Sequence, residues 1–306
     1  PNSIPAREVL VAEGDNLIDR FEMFATQFES YRDQINNNIE GAVGELRGYA
    51  DAVAQINKEI VVSGKANSSS PPNDLLDTRD MLIKKMSSIV NVSTNTNGDG
   101  TMDVFVGKGQ PLVLRFDTNN ITTVPGEYNA RQLEVAIDNG TGIAVNITNA
   151  LNGGEVGGLL RMRDVILTDA ENTVGKIAMG VSMAFNEQHR LGMDMDGDIN
   201  GDFFVEPQTY VYGSSQNTGT AIVTAAVTDV TQLTSSDYEL TFDGTDYSLR
   251  DTATNQRTFI SGTPVPPATS VFPYDTGFGF SINVDNLTTP PGAAAGDSFL
   301  IRPTSF

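Results

Sequence analysis

Cysteine and tryptophan are absent from this sequence of 306 residues, and histidine occurs once. Without cysteine there is no disulfide, no thiol nucleophile and no thiolate metal site. A His-based metal site would need a second histidine, and a Ser-His-Asp triad would depend on His189 alone, with no G-x-S-x-G motif to support it. His189 is expected at a helix end, against terminal carbonyls. We therefore expect no catalytic residues, no cofactor and no enzyme.

Basic residues and long apolar runs are also scarce. Thirty-nine acidic residues against nineteen basic ones give a net charge of −20, which disfavours nucleic acids and anionic membrane surfaces as partners. No stretch approaches the roughly 20 apolar residues of a membrane span. The chain opens at Pro1 without a methionine and without a signal-peptide pattern, so we expect a fragment or a processed product.

Residues 7–62 contain no proline and predict one long helix, which would be about 80 Å long. Its apolar residues recur at alternating steps of four and three, the seam of a coiled coil, with one irregular step at Ile39. Gly41, Gly44 and Gly48 predict a bend or weak point over 38–48. The seam consists of Leu17, Phe21, Phe24, Phe28, Tyr31, Ile35, Ile39, Ala42, Leu46, Tyr49, Val53, Ile56 and Ile60.

The remaining chain predicts an α+β multidomain fold. A second helix over 73–90 and a third helical region over 153–190 complete a long-helix, coiled-coil-like bundle stalk, assigned to residues 1–92 and 153–192. Alternating segments between turns predict a small β insertion over 93–152. Residues 193–306 are expected to form an outer all-β domain, a sandwich or a barrel.

The first helix has no partner of comparable length in this sequence. The second helix is about a third as long and the third about two thirds. Since a helix must bury its apolar stripe along its whole length, we expect further helix beyond the given termini or from neighbouring subunits.

An acidic run at 194–202 matches the opening of a calcium-binding EF-hand loop. Asp196, Asp198 and Asn200 occupy the first, third and fifth positions, but Pro207 stands where the twelfth-position glutamate belongs. Residues 203–205 are typical of a strand and not of the helix that should follow. The pattern favours an acidic turn, and these three residues with Asp202 remain only weak calcium candidates.

One internal similarity stands out. The segment at 75–83 and the segment at 159–167 each place two leucines on a helix, then an Arg-Asp pair, then more apolar residues. Neighbouring residues do not face each other on an α-helix, so each arginine should find its partner elsewhere. Our hypothesis is that Arg79-Asp80 and Arg163-Asp164 form ion pairs between helices or subunits. The alternative is solvated charges that contribute little.

Four segments together resemble the flagellar hook-associated proteins of the hook–filament junction, the FlgK family, which is related to flagellin. They read NDLLDTRDMLIKKMSSIVNV (73–92), GGEVGGLLRMRDVIL (153–167), FNEQHRLGMDMDGDINGDFF (185–204) and AGDSFLIRPT (295–304). The residues that carry the resemblance are Asp74, Leu75, Leu76, Asp77, Arg79, Asp80, Gly157, Gly158, Leu159, Leu160, Arg163, Asp164, Phe185, Asn186, His189, Phe203 and Phe204.

The resemblance implies a structural role outside the cell. Family members carry terminal helices that pair into the inner tube of the flagellum, with β domains projecting outward. The resemblance further implies unfolded export through the flagellar type III apparatus with an export chaperone. Assembly would produce a ring of identical subunits between the hook protein and the filament-side hook-associated protein. Neither nucleic acid nor membrane is expected as a partner.

Two alternatives remain open. One is a filament-forming flagellin, which would share the long helices. The other is a secreted calcium-binding adhesin or glycan-binding protein, which would use the acidic run and the outer β domain.

Overall fold

A computed structural model describes residues 3–63, 72–193, 197, 199, 201–205, 208–260, 272–285 and 292–304. The chain divides into two compact units. Residues 1–29 and 166–306 form one, called the end unit below, and residues 30–165 form the other, the middle unit. The division into a stalk, a β insertion and an outer β domain stays a prediction.

The predicted long helix is confirmed as α1, which runs without interruption over Ile4–Val62. In the middle unit its core positions Ile39, Leu46, Val53 and Ile60 follow one another at intervals of seven and are 0% exposed. This heptad spacing keeps one face of the helix against the rest of the unit. The glycines at 41, 44 and 48 lie within the helix and do not end it.

The other predicted helices are also confirmed. They are α2 (Asn73–Ile89), α3 (Gly154–Arg161) and α4 (Thr168–His189). A π-helical segment, Met162–Leu167, joins α3 to α4, so the third helical region is continuous. In the middle unit α2 contacts α3 and buries Leu82, Met86 and Ile89, whose spacing of four and three places them on one face.

The predicted β insertion forms two antiparallel sheets in the middle unit. One has the order β1-β2-β3-β4 and the other the order β5-β6-β7. Val104, Val106 and Ile121 are among the fully buried strand residues. The strands are β1 (Val92–Thr96), β2 (Met102–Val106), β3 (Gln110–Leu114), β4 (Asp117–Thr118), β5 (Asn120–Pro125), β6 (Leu133–Asp138) and β7 (Ala144–Asn146). A short 3-10 helix, Thr148–Ala150, follows them.

The end unit contains the other two sheets. Their strands are β8 (Tyr210–Gly213), β9 (Ile222–Val227), β10 (Tyr238–Phe242), β11 (Tyr247–Asp251), β12 (Arg257–Ile260), β13 (Tyr274–Asp275), β14 (Phe280–Asp285) and β15 (Ser298–Arg302). A five-stranded sheet, β12-β11-β10-β15-β8, and a three-stranded sheet, β13-β14-β9, share one apolar core that includes Leu240, Phe280 and Ile301. The sequence predicted a sandwich or a barrel. The described strands of the end unit form two open sheets, which is the arrangement of a sandwich.

Hydropathy along the described helices falls below what a membrane-crossing helix requires, so none of them is a candidate span.

Replacing Gly44 by alanine is expected to stabilise the protein. Gly44 is exposed within α1, and a Cβ built there meets no atom within 4 Å. Because glycine loses more backbone entropy in a helix than alanine does, Gly44→Ala should raise the free energy of unfolding by about 0.5–1 kcal/mol. Denaturant unfolding measures this change.

Gly107→Ala is the matched control. Gly107 has a φ of +59°, and its Cβ would lie 2.4 Å from the carbonyl oxygen of Ala150, so this variant should be destabilised. A lower stability of Gly44→Ala than of the parent chain would contradict the assignment of Gly44 to an open helix surface.

Candidate functional site

The apolar seam of α1 is sealed along one part of the helix and open along the other. From Ile35 onward its members are buried except Tyr49, which is half-buried. Ile35 is 7%, Leu46 and Val53 are 0% and Ile56 is 8% exposed. The five earlier members lie less deeply. Phe24 and Tyr31 are 44% and 45% exposed, whereas the half-buried ones are Leu17, Phe21 and Phe28.

An open apolar cleft of about 570 Å³ lies in the end unit where the seam is uncovered. Leu17 and Phe21 of α1 line it, as do three small residues of α4 at steps of three and four, Gly175, Ala178 and Ser182. Further apolar side chains are exposed on the same two helices, namely Val9, Leu10, Val11, Ile18, Met23, Ile177 and Val181. Exposed apolar side chains beside an open apolar cleft are suited to protein–protein contact. We call the cleft, together with the exposed seam residue Phe24, the open seam.

Neither arginine of the internal similarity is solvated. Arg79 is 5% and Arg163 1% exposed. Arg79 donates to the carbonyl of Gly100 at 2.8 Å. Arg163 forms ion pairs with Asp164 at 2.7 Å and with Glu134 at 3.5 Å. Both arginines also reach asparagines on α1, so the alternative of two solvated charges is wrong for these side chains.

The contact between Arg163 and Asp164 corrects a second expectation. Neighbouring residues on an α-helix do not face each other, yet here they are paired. The reason is local, because both residues lie in the π-helical segment, whose wider turn changes the directions of successive side chains.

In the segments around Arg79 and Arg163, the other residues that carry the resemblance differ in exposure. The carboxylates of Asp74, Asp77, Asp80 and Asp164 are on exposed residues, and Gly158 is exposed as well. Leu160 is buried. The half-buried members are Leu75, Leu76, Gly157 and Leu159.

The third segment forms an aromatic cluster closed by one asparagine. The ring centroids of Phe185 and Phe203 are 4.8 Å apart, and those of Phe203 and Phe204 are also 4.8 Å apart. Asn186, 2% exposed, donates to the carbonyl of Phe204 at 2.8 Å. Its Oδ1 accepts the backbone N–H groups of Phe203 and Phe204 at 3.0 and 2.9 Å. The predicted strand at 203–205 is wrong, since asparagine and not a neighbouring strand satisfies this backbone.

The ring of Phe203 also packs directly on the backbone of α1. A Cβ added to Gly14 would lie 2.6 Å from Phe203 Cε1. Glycine at this position therefore permits the close approach of the ring, and the cluster ties the loop to α1 within the end unit.

His189 contacts the loop that follows α4. Its Nδ1 lies 2.8 Å from the carbonyl oxygen of Gly201, and not at the terminal carbonyls of its own helix as expected. Next to it, Arg190 pairs with Asp202 through both carboxylate oxygens, at 2.5 and 3.0 Å. This guanidinium lowers the pKa of Asp202 below its usual range.

The structure describes only one of the four calcium candidates. Asp196, Asp198 and Asn200 lie outside the described residues, and Asp202 already pairs with Arg190. Within the described parts of the chain, no group of three or more acidic or histidine side chains could hold a metal ion. Calcium binding at this run stays an untested prediction.

A charged cluster that sequence reasoning missed lies in the end unit. Arg302 pairs with Glu171 of α4 and with Asp237, each at 3.1 Å, and Asn172 donates to Asp237 at 2.8 Å. Burial raises the pKa of the Asp237 carboxyl in spite of the guanidinium beside it. The fourth resemblance segment contained Arg302, but no spacing pattern connected it to partners far away in sequence.

Comparison with known proteins places this arrangement in a family. Residues 1–204 match the family described as the flagellar hook-associated protein FlgK helical domain. The chain belongs to the FlgK family. Residues 212–303 match a second family of the same proteins, described as flagellar hook-associated protein 1, D2-like domain. The resemblance seen in the four segments is thereby confirmed.

Similar proteins of the FlgK family are known from several bacteria. The chain is 31% identical over 302 residues to flagellar hook-associated protein 1 of Salmonella typhimurium, covering 98% of this chain and 52% of that protein. It is 29% identical over 301 residues to the Escherichia coli protein, covering 98% and 53%. The chain thus spans about half the length of the curated relatives it matches.

A solved structure confirms the fold. The flagellar hook junction protein FlgK from Burkholderia pseudomallei superposes with a TM-score of 0.85 at 29% identity, covering 99% of this chain and 53% of that one. Both family matches are to hook-associated proteins, so a filament-forming flagellin is the weaker alternative.

Asn186→Ala is expected to destabilise the end unit. The variant leaves two partly buried N–H groups and one partly buried carbonyl without their partner, at a cost of about 2 kcal/mol. Gln188→Ala, at an exposed position of the same helix, should leave stability unchanged. Thermal unfolding of both variants measures the difference, and equal melting temperatures would show that Asn186 does not hold the aromatic cluster.

Proposed function

We propose that this chain is the body of a hook–filament junction protein of the bacterial flagellum, and that it assembles through the open seam. The observation that supports this most directly is the change along α1. The heptad pattern that is buried between Ile35 and Ile60 continues toward the start of α1, where Phe24 is exposed and Leu17, Phe21 and Phe28 are only half-buried. Membership of the FlgK family supports the flagellar assignment, since the relatives are named hook-associated proteins.

The proposed role is mechanical and not enzymatic. Long helices resist bending better than loops, and an apolar seam lets them pack side by side. The net charge of −20 opposes that packing, so the contacts between copies must outweigh electrostatic repulsion. Apolar contacts suit this requirement because they are insensitive to the sign of the charge around them.

The partners we propose follow from this role. Identical subunits form a ring, with the hook protein on one side and the filament-side hook-associated protein on the other. The complete protein reaches the outside of the cell through the flagellar type III apparatus, accompanied by an export chaperone. The outer β domain faces away from the assembled helices.

Complementation tests the flagellar role. The complete gene is introduced into a strain that lacks its own hook–filament junction protein, and attached filaments are counted by electron microscopy. We expect attachment to be restored. If the protein is exported and filaments still fail to attach, the proposed function is wrong.

Phe24→Glu tests the open seam separately. Because Phe24 is 44% exposed, the variant should change the stability of the chain by no more than about 0.5 kcal/mol. In the complete protein it should nevertheless prevent filament attachment, since it places a charge in the contact between helices.

Gln27→Glu is the matched control, because it adds the same charge at an exposed position of α1 outside the seam. It should assemble as the parent protein does. Normal attachment with Phe24→Glu would leave the flagellar role standing but would exclude the open seam as the assembly surface.

A further inference from the structure

Two buried asparagines of α1 contact two different sheets of the middle unit. Asn36 is 6% and Asn57 0% exposed. They are 21 residues apart in sequence, which is three heptads, so they occupy equivalent positions on the helix. Buried polar side chains require hydrogen-bond partners, and both asparagines find theirs on the backbone of a strand start.

At Asn57 the side-chain amide pairs with the first residue of β2. Its Nδ2 donates to the carbonyl of Met102 at 2.8 Å, and its Oδ1 accepts the N–H of Met102 at 3.0 Å. The same Nδ2 donates to the carbonyl of Arg115 at 2.6 Å. An asparagine amide carries a donor and an acceptor like a peptide group. It therefore acts as a neighbouring strand residue would.

At Asn36 the same side chain meets the start of β6. Its Nδ2 donates to the carbonyl of Arg131 at 2.9 Å, and its Oδ1 accepts the N–H of Leu133 at 3.4 Å. Leu133 is the first residue of β6, just as Met102 is the first residue of β2. An apolar side chain in place of either asparagine would leave partly buried backbone groups without these partners.

Each asparagine also accepts a hydrogen bond from one arginine of the repeated Leu-Leu…Arg-Asp pattern. Arg79 donates to Asn57 Oδ1 at 3.4 Å and to the carbonyl of Gly100. Arg163 donates to Asn36 Oδ1 at 3.2 Å and to the carbonyl of Leu133. The similarity in sequence thus has a counterpart in three dimensions, because matching residues make matching contacts.

We propose that the middle unit contains an internal structural repeat, in which Asn57 with Arg79 and Asn36 with Arg163 are two copies of one docking site. Each site fixes the position of one β element along α1, and the four side chains are positioning residues. The inference concerns how the unit is built and does not depend on the proposed flagellar function.

The two sites differ in their charge. Arg163 is neutralised by Glu134, whose side chain is 15% exposed, and by Asp164. Among the described residues no carboxylate lies within ion-pair distance of Arg79, and its Nε has no hydrogen-bond partner. Removing Arg163 leaves a largely buried carboxylate without its guanidinium. Removing Arg79 leaves no buried carboxylate behind, because the carboxylate that attracts it belongs to exposed Asp80. Arg163→Met should therefore lower the melting temperature more than Arg79→Met does.

Residue-resolved amide hydrogen exchange tests the repeat. In Asn57→Ala the Met102 amide should exchange about tenfold faster or more, which corresponds to about 1.4 kcal/mol of opening free energy, while the Leu133 amide keeps its rate. In Asn36→Ala the pattern should be reversed, so that the Leu133 amide exchanges faster and the Met102 amide keeps its rate. Asn37→Ala, an exposed neighbour on α1, should change neither rate.

The arginine variants keep the test decisive if an alanine variant fails to fold. Arg79→Met and Arg163→Met each remove only the arginine contacts, and each should speed exchange at its own site and not at the other. Equal acceleration at Met102 and Leu133 in every variant, or no acceleration at either amide, would overturn the proposal.

Discussion

The structure depends on covering one face of a 59-residue helix. An isolated helix of this length gains little from propensity alone, and most of its stability must come from tertiary packing of its apolar face. In the middle unit that face is closed over heptad positions from Ile35 to Ile60. In the end unit the same periodicity continues, but Phe24 and its neighbours remain open to contact. The proposed assembly role follows from this part of the apolar face of α1, which the described part of the chain does not cover.

Polar docking is the second constraint, and it recurs along the helices. Long helices offer apolar surface in abundance, but apolar contacts alone do not set where a neighbouring segment sits along the helix. Buried asparagines do, because their amide must align with specific backbone groups. Asn36 and Asn57 position strand starts, and Asn186 holds the backbone of Phe203 and Phe204. Losing the alignment would leave several buried groups unpaired, which makes the register well defined.

Buried charge has a different task in the end unit and in the middle unit. In the end unit, Arg302 joins α4 to the five-stranded sheet through two carboxylates. In the middle unit, Arg163 forms ion pairs with Glu134 and Asp164, whereas Arg79 is attracted by exposed Asp80 and forms no ion pair among the described residues. A buried ion pair adds little net stability, yet breaking one is costly, so such groups serve position more than they serve strength.

What the sequence determined by itself was periodicity and local identity. The helices, the β-rich segments, the seam and the two matching Leu-Leu…Arg-Asp segments all follow from residues close together in the chain, where spacing alone decides which side chains share a face. The four segments also sufficed to indicate the family. Only the tertiary structure decided which part of the seam is covered and that Arg79 and Arg163 are buried. It also assigned Asn36, Asn57, Asn172 and Asn186 to particular backbone or carboxylate partners. Those contacts join residues up to 127 positions apart. An asparagine that docks a strand has the same local pattern as one that faces water, so its role is decided by what folds against it.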